Sequence, residues 1–162
     1  MTMDLHVVTI NTPKDSNLIL GQTHFIKSVE DLREALVTTV PGIKFGLAFA
    51  EASGECLIRH EGNEDELREA AIRCCVDLGA GHTFAIFIRG AYPINVLNAI
   101  KDVQEVCSIF CATSNPVHAI VAETELGRGV LGIIDGSPPK GVEGGAASKE
   151  RVEFLRKIGY KS

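Results

Sequence analysis

The chain has 162 residues and a mass of 17.4 kDa, the size of one domain, and its 45% hydrophobic against 23% charged residues exclude a disordered or solvating segment. A formal net charge of −5, a pI near 5.5 and no block of Lys or Arg argue against a nucleic-acid surface or an anionic membrane, so any phosphate has to be held by a local cluster. A mean hydropathy of +0.14 is high for a small soluble chain and points to a subunit partner covering apolar surface.

The five cysteines, Cys56, Cys74, Cys75, Cys107 and Cys111, are odd in number and form no CxxC pair, and they read as reduced core thiols of a cytoplasmic protein. Residues 1–20 alternate apolar with polar and are expected not to act as a signal peptide. No apolar run reaches the length of a membrane span.

Strand and helix signals alternate along the chain. Residues 5–10 and 17–21 read as two short antiparallel strands. Ser28, three before Asp31, starts a helix whose apolar positions Val29, Leu32, Leu36 and Val40 end at Pro41-Gly42. Residues 45–49 and 56–59 predict two strands joined at Glu51-Ala52-Ser53-Gly54. Asn63 with Glu66 repeats the cap signal, and Leu67, Ala70, Ala71, Cys74 and Leu78 form one stripe before Gly79. Residues 83–88 predict a buried strand, and Pro93 opens a helix with Leu97, Ile100 and Val103 inward. Strands at 106–112, 117–122 and 130–134 and a helix at 148–158 complete the order. The expected fold is α/β, α+β-like, a single domain over 1–162 in which a mixed sheet is packed by about four helices. Residues 136–147 form either a lid or an exposed connection.

Polar residues at the bends carry the candidate chemistry. GRGVLG at 127–132 matches GxGxxG, but a strand and turn follow it where a dinucleotide fingerprint needs a helix. Two readings remain: a tight turn, or a glycine-rich hairpin whose backbone N–H groups and Arg128 hold an anion. His82 follows Gly79-Ala80-Gly81 where a helix gives way to a strand; it either caps the helix carbonyls or offers a ring nitrogen to a phosphoryl group. Asn95, Asn98 and Asp102 share a helix face with Lys101 on its border. Each asparagine costs a helix roughly half a kcal/mol against alanine, and the face either is solvated or reads a purine edge or ribose. Glu51, Glu123, Glu125 and Asp135 stand at strand ends, where such carboxylates suit Mg²⁺ beside a nucleotide phosphate, although no spacing is diagnostic of a metal.

The blocks FGLAFAEASG, GAGHTF, YPINVLNAIK, CATSNP and VAETELGRGVLGIIDG, with the ending RKIGYK, together resemble the adenosine-specific kinase family of small archaeal and bacterial proteins over nearly the whole chain. The resemblance implies a cytoplasmic protein that binds adenosine nucleotides, takes phosphate from ATP or another adenine nucleotide, passes it through a phosphorylated histidine, and assembles as a homo-oligomer, with a trimer favoured. On the matching blocks it makes His82 the phosphohistidine, with Glu51, Ser53, Asn95, Asn98, Asn115, Glu123, Arg128 and Asp135 as site residues. Assigned roles follow: Arg128 and Lys101 balance phosphate charge, Glu123 and Asp135 orient the imidazole or hold Mg²⁺, and the asparagines read base or ribose. A non-catalytic adenine-nucleotide sensor acting through an oligomeric interface is the competing function, and a purely structural assembly role is a third.

Overall fold

Residues alternate between runs that are apolar throughout and runs that are apolar on one side only, and the two kinds build different sheets. The computed structural model describes residues 2–162. The elements are β1 (Asp4–Ile10), β2 (Asn17–Thr23), α1 (Ser28–Thr39), β3 (Lys44–Ala50), β4 (Ile58–Gly62), α2 (Asp65–Leu78), β5 (Thr83–Arg89), α3 (Pro93–Lys101), β6 (Val106–Thr113), β7 (Val117–Thr124), β8 (Gly127–Asp135) and α4 (Gly145–Lys157). Strands β4-β3-β5-β2-β6 form a five-stranded sheet and β1-β7-β8 a three-stranded one.

The layered α+β class with four helices is as expected, but the mixed sheet is two sheets in which each of the six strand pairings is antiparallel. The reason lies in the crossovers. Helix α1 links β2 to β3 and α3 links β5 to β6, each joining strands of the same sense, yet a strand of opposite sense sits between the members of each pair: β5 in the first, β2 in the second. This interleaving is that of a split βαβ unit.

Both faces of the five-stranded sheet are covered, which is why β5, TFAIFIR, is buried along nearly all its length. On one face Phe45, Phe49, Phe84 and Ile86 meet Leu32 and Leu36 of α1 and Val96 and Ile100 of α3. On the other, Leu18, Leu20, Ala85 and Phe87 meet α2 and the inner side of the three-stranded sheet, through Ile10, Val117, Ala119 and Val121. The outer side of that small sheet is open, and Leu5 and Val7 stand 62% and 64% exposed there.

Two local expectations change. Ser28 is the first residue of α1 and its hydroxyl shares a hydrogen bond with that of Thr23, both buried, instead of capping the helix. The strand expected from 56 starts at Ile58, because Cys56 takes a left-handed φ of 52° and belongs to the turn. Residues 137–144 run exposed between β8 and α4. Helix α4 buries no side chain.

Gly46 sets the distance between α2 and the sheet. A Cβ there would lie 2.1 Å from the backbone of Leu67 and Arg68. Gly46→Ala is therefore expected to cost about 3 kcal/mol by overpacking, whereas Gly132→Ala, with nothing within 4 Å, changes stability by less than about 0.5 kcal/mol. Urea unfolding of the two variants checks the difference; equal costs would mean that α2 shifts freely over β3.

Candidate anion-binding cleft

Helix α2 ends at Gly79, whose φ of 59° is left-handed and whose N–H returns to Cys75 O. The chain then has three residues to reach β5. Ala80 makes a parallel bridge to Arg128 of β8. Gly81 lies where a Cβ would come within 2.7 Å of Ala52 Cβ. His82 again takes a left-handed φ, 63°, donates its N–H to Ala50 O at 2.7 Å and accepts from Thr23 N at 2.9 Å. Its half-buried ring stacks on Phe49, with centroids 5.9 Å apart.

A cleft of about 790 Å³ opens beside this segment, between the end of α2, the 51–57 turn and the β7–β8 hairpin. Glu51, Cys56, Gly81, Thr124, Arg128 and Gly129 are among its walls. Its volume lies within the range of small-molecule sites.

Each arginine here is paired with a carboxylate. Glu51 Oε2 accepts from Leu57 N at 2.8 Å and Oε1 from Arg59 Nε at 3.0 Å, and these two bonds, the backbone one first, hold its carboxyl below the ordinary 4.5. Glu123 Oε2 accepts from Arg128 Nε at 3.0 Å and lies 2.8 Å from Nη2; that guanidinium lowers the Glu123 carboxyl, with His6 adding a smaller effect. The Arg128 side chain crosses Gly79, where a Cβ would be 3.2 Å from its Cδ. There it lies over the C-terminus of α2, whose free carbonyls favour a cation.

The expected site residues fall into three groups. Glu51 and Arg128 line the cleft, Ser53 is on its turn and Glu123 is held by Arg128, whereas His82 follows the lining residue Gly81 with its ring against Phe49 and is not itself a wall residue. Asn115 and Asp135 meet at the other end of β8, where Asp135 Oδ1 accepts from Thr113 Oγ1 at 2.8 Å and from Asn115 Nδ2 at 3.0 Å. Seven positions separate Arg128 from Asp135 along β8, roughly 20 Å at about 3.3 Å per residue. Asn95, Asn98 and Lys101 are on α3, exposed. Asn95 Oδ1 accepts from Tyr92 N at 2.9 Å, closing a capping box. One chain does not bring the three groups together.

GRGVLG does not form the turn. The hairpin turns at Glu125-Leu126, and 127–132 run as strand β8, so Arg128 is a strand residue whose backbone faces Glu123 of β7. Sequence reasoning missed Arg59, the partner of Glu51, and His6, whose Nε2 lies 2.9 Å from Glu123 Oε2. Both sit on strands, where alternation alone gives a face but no partner.

All five cysteines are free, and three behave as core thiols. Burial pushes Cys75 up to about 12 and Cys111 to about 11, and raises Cys74 strongly. Cys56 and Cys107 are exposed, against expectation: the first is on the cleft turn and the second on edge strand β6. Among the described residues no cluster of three or more His, Cys, Asp or Glu has the arrangement of a metal site, and no helix is long and apolar enough to cross a membrane.

Arginine–carboxylate pairs and a glycine-lined backbone border one cleft, and the class is that of a layered α+β protein with two antiparallel sheets and four helices. A model of the family described as adenosine specific kinase matches residues 8–161, and the chain belongs to that family. It is similar to the PH1918 protein from Pyrococcus horikoshii OT3, whose crystal structure superposes with a TM-score of 0.95 at 47% identity over 99% of each chain. No curated protein matches.

Because the folded pKa of Glu51 lies below its ordinary 4.5, the ionised carboxyl stabilises the fold above that pH, and the contribution is lost as pH falls through the folded value. Arg59→Ala is expected to raise the Glu51 carboxyl partway toward 4.5, because Leu57 N–H remains. NMR titration of the side-chain carboxyl follows this directly. A midpoint identical to that of the wild type would assign the whole shift to Leu57.

Proposed function

We propose that this protein is a phosphotransferase acting on adenosine or an adenosine nucleotide, with His82 as the transient phosphate carrier. What supports the reading is the meeting of Arg128, Glu51 and the Gly79–Gly81 turn that leads into His82 at one cleft in a chain of the adenosine specific kinase family. A ring nitrogen of His82 attacks the terminal phosphorus of ATP, ADP leaves, and a hydroxyl of the adenosine-type acceptor takes the phosphoryl group in a second step. Arg128 faces the phosphate oxygens. Such chemistry is carried mainly by positioning and charge balance.

Glu51 and Glu123 are committed to arginines and Glu125 stands exposed on the hairpin turn, so a protein-only Mg²⁺ cage does not suit this donor set. In this reading Mg²⁺ is held by nucleotide phosphates and water. The exposed Leu5, Val7, Leu131 and Ile134 on the edge strands of the small sheet support a homo-oligomer, proposed as a trimer, and the asparagines of α3 take part only if a second copy supplies them. A cytoplasmic setting is part of the proposal.

The stacking of the His82 ring on Phe49 favours a second reading, in which the protein binds adenine nucleotides as a sensor and transfers nothing.

Incubation with labelled ATP is expected to place acid-labile phosphate on the wild type, and His82→Asn, which tolerates a left-handed φ, to abolish it without unfolding the chain. Arg128→Ala is expected to weaken nucleotide binding about tenfold or more, the loss of a charged hydrogen bond worth ~1.5–3 kcal/mol. Undiminished labelling of His82→Asn rejects the carrier, and tight calorimetric binding with no product under any acceptor favours the sensor.

A further inference from the structure

The cluster behind Arg128 contains a histidine that the proposed transfer does not use. His6 shares the inner face of β1 with Val8 and Ile10, which pack toward α2 and the core. Its Nε2 is shut off from solvent, and the polar group beside it is Glu123 Oε2, 2.9 Å away. The same oxygen receives Arg128 Nε at 3.0 Å and faces Nη2 at 2.8 Å. One carboxylate oxygen thus faces three nitrogens, two of them donors of the single Arg128 guanidinium and the third an imidazole nitrogen, which is cationic only when the ring is protonated.

With His6 neutral, Glu123 and Arg128 cancel. The guanidinium that lines the cleft is then engaged from behind, and an incoming oxyanion has to compete with Glu123 for it. With His6 protonated, the imidazolium turns its N–H to Glu123, the cluster carries one net positive charge, and the carboxylate's pull on Arg128 is shared. We propose that His6 is a positioning residue for the cleft, setting through Glu123 how much of the Arg128 charge is available to a phosphate-like oxyanion. Anion affinity then rises as pH falls.

The remaining charges around the cluster are fixed in sign or mutually offset. On β1, Asp4 stands opposite Glu123 in the register. From α2, Arg73 and Asp77 border Val8–Asn11 of β1 together and oppose one another. Across the cleft Glu51 is held by Arg59, and Glu125 is exposed on the hairpin turn. His82, on the segment bridged to Arg128, is the other imidazole nearby, and the test separates it from His6.

The inference rests on Arg128 as the anion ligand of the cleft and not on a phosphohistidine. The probe is inorganic sulfate, whose charge does not change across neutral pH, titrated calorimetrically into the full chain at constant ionic strength. Wild-type affinity is expected to rise about fivefold to tenfold between about pH 8 and about pH 6, the scale of one unit of linked protonation. His6→Gln should bind weakly with no such rise, His82→Asn should keep the rise, and Arg128→Gln should lose binding at every pH. Glu123→Gln, which frees Arg128 outright, should bind sulfate more tightly than the wild type at about pH 8, and it keeps the test decisive if His6→Gln fails to fold. A flat wild-type profile, a rise that survives in His6→Gln or vanishes in His82→Asn, or weaker binding by Glu123→Gln overturns the proposal. Loss of phosphate labelling in the wild type, by contrast, would overturn the transfer reading and leave this one standing.

Discussion

Four residues, Gly79 to His82, hold the two sheets, the end of α2 and the 51–57 turn in one arrangement. The chain must leave a helix, touch β8, pass under Ala52 and enter β5 between β2 and β3 within that length. Two left-handed residues make this possible. Glycine is dictated at 79 by the φ and by the crossing Arg128 side chain, and at 81 by the closeness of Ala52. It is not what stands at 82, although the same φ favours it. A side chain held there costs on the order of 1 kcal/mol. Stacking on Phe49 offsets part of that cost, and the proposed carrier role gives the imidazole a reason to be kept.

The same segment explains why the cleft is electrostatically quiet for one bordered by arginines. Arg59 and Arg128 each approach from a strand, and each finds a glutamate already fixed by the backbone: Glu51 by Leu57 N–H, Glu123 by its place opposite Arg128 in the β7–β8 register. Pairing positions both guanidinium groups without leaving them free. An arriving phosphate gains a preorganised partner but has to displace or share a carboxylate, so affinity becomes sensitive to anything that alters that carboxylate. The His6 nitrogen beside Glu123 occupies the position where such an influence acts most directly.

Much of this frame was legible in the residues. The helix stripes, the fully apolar β5 and the alternating β1 each encode one burial environment, so their type and place follow from periodicity. Pairing sense did not follow, because it depends on which strand is inserted between the two joined by a crossover, and β5 and β2 carry no mark of it. Within the site, the glycines of GAGH were readable because conformation and close approach restrict them to that residue type. Arg128 was readable as a charged residue among apolar strands, but its turn was misplaced by two residues, since glycines in β8 mimic a loop. The partners Arg59 and His6 were not readable: each depends on a register set by tertiary pairing.

The asparagines show what a resemblance leaves open about geometry. Asn95 is accounted for by the first turn of α3, whose N-terminal backbone needs an acceptor that an asparagine at N3 supplies. Asn115 is accounted for by Asp135, which it anchors together with Thr113 at the far end of β8. Both residues therefore have structural employment within one chain, and Asn115 stands some 20 Å, at about 3.3 Å per strand residue, from the arginine that faces the cleft. A mononucleotide is too short to reach from one end of β8 to the other. Either the cleft set alone recognises the ligand, with base contacts drawn from the 51–57 turn and the hairpin, or a second copy docked on the exposed apolar side of the small sheet supplies α3 in trans. The proposed oligomer is thus a geometric requirement of the wider residue set, and not of the cleft itself.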